Sequence, residues 1–106
     1  MKTRVTNWGL HPVAEAEMTA FREEAEAQQW VANTSGWIAR GMGRCYGDSS
    51  LSSNIISTRS YNRFLSFNTE SGVVVCQSGV TFKDLIDALL PRGWFPPVTP
   101  GTKFVT

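Results

Sequence analysis

Apolar positions along this chain come in short bursts separated by polar or glycine-rich joints. Val5 to Gly9 reads as a small strand or an ordered arm, with Trp8 as a packing residue. Ala14 to Met18 reads as a short strand. Thr19 then has the chemistry of a helix N-cap, with Glu23 and Glu24 near the favourable end of the dipole. The spacing predicts a helix to about Ala32, with Phe21, Ala25, Trp30 and Val31 supplying most of its buried surface. Asn33-Thr34-Ser35-Gly36 stops it, and Trp37 to Arg40 follows as a strand, an order that points to an α/β unit. Ile55 and Ile56 mark another short strand, and Tyr61-Asn62-Arg63 a turn or short helix. Leu65 to Asn68 and Val73 to Gln77 read as paired strands across the turn cluster Thr69 to Gly72. Thr81, with Asp84 three residues on, forms a capping box, and Leu85, Ile86, Leu89 and Leu90 line one face of the helix it opens.

The texture changes after that helix. Four of the five prolines lie between Pro91 and Pro100. Pro96-Pro97 forces an extended path, and Thr99-Pro100-Gly101-Thr102 reads as a tight turn. That turn is either a rigid loop or a place where a ligand meets backbone, since Gly101 permits close approach. Lys103 to Thr106 has a half-strand pattern with no terminator, which predicts a chain cut inside a larger domain or naturally lacking the rest.

Composition narrows the classes. The 106 residues suit one domain or a piece of one, and a 42% hydrophobic content is enough for a core. Ten basic residues face nine acidic ones, and the bases are scattered along the sequence, so no nucleic-acid footprint is expected. Cys45 and Cys76 are too few for a disulfide scaffold and lack zinc-site spacing, so no metal is expected; Cys76, in a valine run, reads as a small buried hydrophobe. His11 is the only histidine and reads as a surface or capping residue. No apolar stretch follows Met1-Lys2-Thr3-Arg4 and no run is long enough to span a membrane, so a cytoplasmic location is the expectation.

The chemistry concentrates in Arg40 to Ser50, R-G-M-G-R-C-Y-G-D-S-S. Gly41, Gly43 and Gly47 free the backbone, successive N–H groups in such a turn can hold an anion, and Arg40 and Arg44 add planar donors suited to phosphate oxygens. A glycine-rich turn at a strand end is also often only a turn. The loop is neither a P-loop, because no Gly-Lys-Ser/Thr follows, nor a Rossmann fingerprint, because Tyr46 stands where the third glycine belongs.

Arg40-Gly41-Met42-Gly43-Arg44-Cys45-Tyr46-Gly47-Asp48, followed by Pro100-Gly101-Thr102-Lys103-Phe104-Val105-Thr106, resembles the FAD-binding domain of the vanillyl-alcohol oxidase / p-cresol methylhydroxylase superfamily. Trp8-Gly9 stands near the place of an N-terminal W-G in those proteins, and the resemblance runs from about Trp8 to Thr106. It implies an α+β fold, the first lobe of a two-lobe FAD domain, with a small mixed or parallel sheet flanked by helices. It implies that residues 40–48 hold the FAD diphosphate, with Pro100, Gly101, Thr102 and Thr106 approaching from the second motif. Arg44 stands where some relatives carry a flavin-linking histidine, so non-covalent FAD is expected. The implied whole protein is an FAD-dependent oxidoreductase acting on a small-molecule alcohol, sugar- or polyol-like, by hydride transfer. The rest of the polypeptide would supply the second lobe and the catalytic residues, and residues 1–106 alone would be inactive. The alternative is a small non-catalytic α/β module that binds a phosphorylated ligand or a protein partner.

Overall fold

The computed structural model describes residues 2–106. A mixed sheet holds β1 (Lys2–Thr6), β2 (Val13–Ala20), β3 (Trp37–Arg40) and β4 (Asn54–Ser57) in the order β1-β2-β4-β3. β1 and β2 pair antiparallel, while β4 runs parallel to both β2 and β3. β4 is paired on both edges, and Ile55 and Ile56, which point to opposite faces of the sheet, are both buried. Ile55 packs with Val5 and Ala16, and Met18, Ile38 and Leu51 close round them.

Helix α1 (Glu24–Ala32) starts later than Thr19. The ladder with β4 decides this: Thr19 pairs with Ile56 and Ala20 with Ser57, so the strand claims the residue expected to cap the helix. The cap is Glu23, whose amide donates to Glu26 Oε1 at 3.1 Å. α1 buries no residue fully; Phe21, Trp30 and Val31 are half-buried and Ala25 is exposed. Two ring contacts hold this region, Phe21 on Tyr61 (4.9 Å between centroids) and Trp30 on Trp37 (6.2 Å).

The chain then crosses to an antiparallel hairpin, β5 (Phe64–Phe67) and β6 (Val74–Cys76). Tyr61-Asn62-Arg63 forms neither turn nor helix; the turn precedes it, closed by Tyr61 N to Thr58 O at 3.0 Å. Gly79 lies beneath that segment and donates its amide to Tyr61 O at 2.7 Å. A side chain at Gly79 would strike the Thr58 carbonyl, so only glycine allows the two backbones to cross there.

Helix α2 (Phe82–Leu89) opens with the expected reciprocal cap, Thr81 N to Asp84 Oδ2 at 3.0 Å and Asp84 N to Thr81 Oγ1 at 3.1 Å. Leu89 is buried and Leu85 and Ile86 are half-buried. Leu90 is exposed, because Pro91 turns the chain into a 3-10 turn (Leu90–Arg92) that carries it off the helix face. Trp94 folds back onto the hairpin, over Gly72 and edge-on to Phe67.

Thr99 to Thr102 is a bend at Gly101; among the described residues no main-chain hydrogen bond closes it as a tight turn. The segment after it forms no strand. Instead Lys103 O and Val105 O accept from the amides of Lys83 (2.8 Å) and Phe82 (2.9 Å). Those amides are orphan donors of the first helical turn, which is why the tail settles there. The radius of gyration is 15.6 Å, against about 13 Å for a compact domain of this length. No helix among the described residues is long and apolar enough to cross a membrane.

Candidate functional site

The loop that leaves β3 lies at the carboxyl end of two neighbouring parallel strands, β3 and β4, where open α/β sheets receive ligands. It is latched from beneath. The Arg40 guanidinium turns inward, donating through Nη1 to Asn7 Oδ1 (2.5 Å) and Ser50 Oγ (3.4 Å) and through Nη2 to Thr6 O (2.8 Å). Asn7 is only 3% exposed. Its Nδ2 donates to Gly47 O at 3.0 Å and also to Ser49 O. One amide therefore ties the end of β1 to the far limb of the loop. Burial pushes the Arg40 guanidinium below its usual value, with the nearby Cys45 opposing, yet an arginine so shifted stays charged. Gly43 has φ +68°, and a Cβ there would strike that guanidinium, so glycine is needed for both reasons. The Arg40 side chain thus braces the scaffold through Nη1 and Nη2.

The loop's upper side is open. Among the described residues none of the main-chain amides from Gly41 to Asp48 donates to a protein acceptor. Arg44, Tyr46 and Asp48 are exposed, and Arg44 makes no ion pair among the described residues. Cys45 points back into the loop, with Sγ 3.3 Å from Ser49 O and 3.2 Å from Ser50 Oγ. Met42 lies on another side, lining a cleft with Arg40 and Gly41.

The second motif meets this loop in space. Arg44 and Tyr46 line a cleft of about 480 Å³ together with Trp8, Gly101, Thr102 and Phe104. Thr106 comes up against Gly41, where a Cβ would collide with its hydroxyl. The other expected residues, Arg40, Gly41, Met42, Gly43, Cys45, Gly47, Asp48, Pro100 and Thr106, do not line that cleft. Trp8 is not the packing residue expected from the sequence. It is 64% exposed, stands edge-on to Tyr46 (5.9 Å, 89°), and its amide donates to Cys45 O at 3.2 Å. Sequence reasoning also missed Asn7 and Phe104. The only signal for Asn7 was a polar residue next to an aromatic-glycine pair, and nothing local marks its partners as distant carbonyls.

A family described as "FAD binding domain" matches residues 16–106 of this sequence. The chain belongs to the FAD-binding domain family. It is also 40% identical over 73 residues to the decaprenylphosphoryl-beta-D-ribose oxidase of Mycolicibacterium smegmatis (strain ATCC 700084 / mc(2)155), a match covering 67% of this chain and 16% of that protein. An α+β chain with a small mixed sheet and two helices suits an FAD-binding domain, and its cofactor is FAD. The residues present fit that group. Unspent amides and a free guanidinium suit a diphosphate. Trp8, Tyr46 and Phe104 give the cleft an aromatic lining, and at Gly101 a Cβ would meet nothing within 4 Å, which leaves open space there.

Proposed function

We propose that residues 1–106 form the first lobe of a two-lobe FAD domain in an oxidoreductase that oxidises an alcohol carbon of a sugar- or polyol-like substrate. The observation that carries the reading is the unspent set of amides from Gly41 to Asp48 beside Arg44, in a loop that Asn7 and Arg40 hold rigid from behind. Rigid, preformed donors bind an anion without the cost of ordering the loop. These amides and Arg44 hold the cofactor's diphosphate. Gly101, Thr102 and Thr106 bring the second motif against it, and Trp8, Tyr46 and Phe104 shield it from water.

When bound, the flavin supplies the hydride acceptor; the protein's part is binding and orientation. Arg44 stands where some relatives carry a flavin-linking histidine, and the neighbouring Cys45 thiol is turned back onto Ser49 and Ser50, so the FAD is held non-covalently. The base and the substrate pocket come from the remainder of the polypeptide, and residues 1–106 alone are inactive. A need for a second body is supported by shape. The accessible surface is 7144 Å², against about 5,900 Å² for a compact monomer of this length. Phe64, Leu65, Val73 and Val75 of the hairpin region stand exposed.

The test is flavin absorbance carried by the full-length protein through gel filtration. We expect a yellow protein, and loss of flavin by at least about tenfold in affinity for Arg44→Glu, which sets a like charge beside the diphosphate. A colourless protein that takes up no FAD sinks the reading. Unchanged retention in Arg44→Glu removes Arg44 from the diphosphate site.

A further inference from the structure

Arginines that lie far apart in the sequence line a cleft that shares no residue with the Trp8–Tyr46 cleft, with Arg59 at its border also lining the cleft of Arg40, Gly41 and Met42. Arg22, from the link between β2 and α1, and Arg59 and Arg63, from the link between β4 and β5, line one cleft of about 280 Å³ with Ser60 and Asn62. Every lining side chain carries a hydrogen-bond donor. The backbones are pinned: Arg22 N donates to Glu26 Oε1 (3.4 Å), Arg59 N to Ser57 Oγ (3.4 Å) and Arg63 N to Gln77 Oε1 (2.9 Å).

The charge is poorly compensated. Glu23 reaches Arg63 at 3.7 Å, but both side chains are 64% exposed, so that pair is weak. Arg22 and Arg59 make no ion pair among the described residues. The chain as a whole carries only +1, so the convergence does not follow from general basicity. All three arginines are exposed, so solvent screens their mutual repulsion and leaves the guanidinium groups free to close on an anion.

We infer that Arg22, Arg59 and Arg63, with Ser60 and Asn62, form a binding site for a phosphate monoester, distinct from the FAD diphosphate site. A carboxylate is satisfied by one bidentate guanidinium, whereas a dianionic phosphate has three terminal oxygens and two charges to distribute. Three forks and two neutral donors match the second. The source is either a soluble phosphorylated compound or the headgroup of an anionic lipid, and the two share this chemistry.

The test uses the full-length, FAD-loaded protein, so that the flavin site is filled. Inorganic phosphate is titrated calorimetrically, and flotation is measured with phosphatidylcholine vesicles with and without phosphatidic acid. Saturable binding in either arm is expected, falling by at least about tenfold in Arg59→Gln/Arg63→Gln. Arg59→Lys, which keeps the charge but loses the fork, should retain part of it. Binding of phosphate but not vesicles identifies a soluble ligand; binding of phosphatidic acid vesicles alone identifies a lipid headgroup. Flavin content is unchanged in these variants. No binding in either arm, or equal binding by the double variant, overturns the inference. So does loss of flavin from the double variant, because the arginines then belong to the cofactor site.

Discussion

Replacing Asn7 by alanine removes one side chain and three hydrogen bonds. Two run from Nδ2 to the carbonyls of Gly47 and Ser49, and one comes to Oδ1 from the Arg40 guanidinium. Neutral bonds of this kind contribute about 1 kcal/mol each and a charge-assisted one about 1.5–3 kcal/mol. The sum is roughly 3–5 kcal/mol, to be reduced because Arg40 keeps Thr6 O and Ser50 Oγ and water can enter the gap. We expect Asn7→Ala to cost about 2–4 kcal/mol in urea titrations at constant slope. With Arg40→Met it should show a coupling of about 1–2 kcal/mol in a double-mutant cycle. Asn7→Asp should also destabilise. It keeps an acceptor for Arg40 but sets a second oxygen against the Gly47 and Ser49 carbonyls in place of the donor. FAD affinity should fall in all of these variants, since the loop loses its latch. A cost below about 0.5 kcal/mol for Asn7→Ala, with strict additivity to Arg40→Met, would refute the latch.

Glycine substitutions separate backbone need from ligand need. Gly43→Ala meets both a positive φ and the Arg40 guanidinium and should cost about 1–3 kcal/mol by urea titration. Gly79→Ala drives a methyl onto the Thr58 carbonyl, which is backbone and cannot swing aside, so it should cost at least as much. Gly101→Ala meets nothing in the protein and should leave the urea midpoint unchanged while weakening FAD retention; unchanged retention would show that the cofactor does not approach there. Burial pushes the Cys76 thiol up, so iodoacetamide should label it slowly near pH 8 and faster as pH rises, as followed by mass spectrometry. Because the fold favours the protonated thiol, Cys76's contribution to stability is present below its unfolded value and is lost as pH rises through the folded one. Labelling as fast as that of a free thiol would contradict the burial.

Much of the local architecture was legible along the chain because its causes are local. The capping box at Thr81 and Asp84, the isoleucine pair of β4 and the hairpin around Thr69 to Gly72 each depend on neighbours within a few residues. The long loop motif and the P-G-T motif were legible for a different reason: together they are specific enough to carry a family resemblance. Where sequence reading failed, a distant partner had overruled a local preference. Thr19 has cap chemistry but lies opposite Ile56 in a ladder. Lys103 to Val105 has strand texture, but its carbonyls answer the orphan amides of α2. The inward turn of the Arg40 guanidinium onto Asn7 and Thr6 likewise has no signal among its neighbours in the sequence.

By itself, then, the amino-acid order determined the short elements, the glycine-bearing loop and its cofactor class. Tertiary structure alone decided which side chains of that loop face solvent and which face the protein. It also brought Trp8 and Phe104 to the cleft and gathered Arg22, Arg59 and Arg63 in another cleft. The physical reason is reach. Propensity and turn chemistry act over a few residues, whereas a buried polar group must find its partner wherever the fold places one.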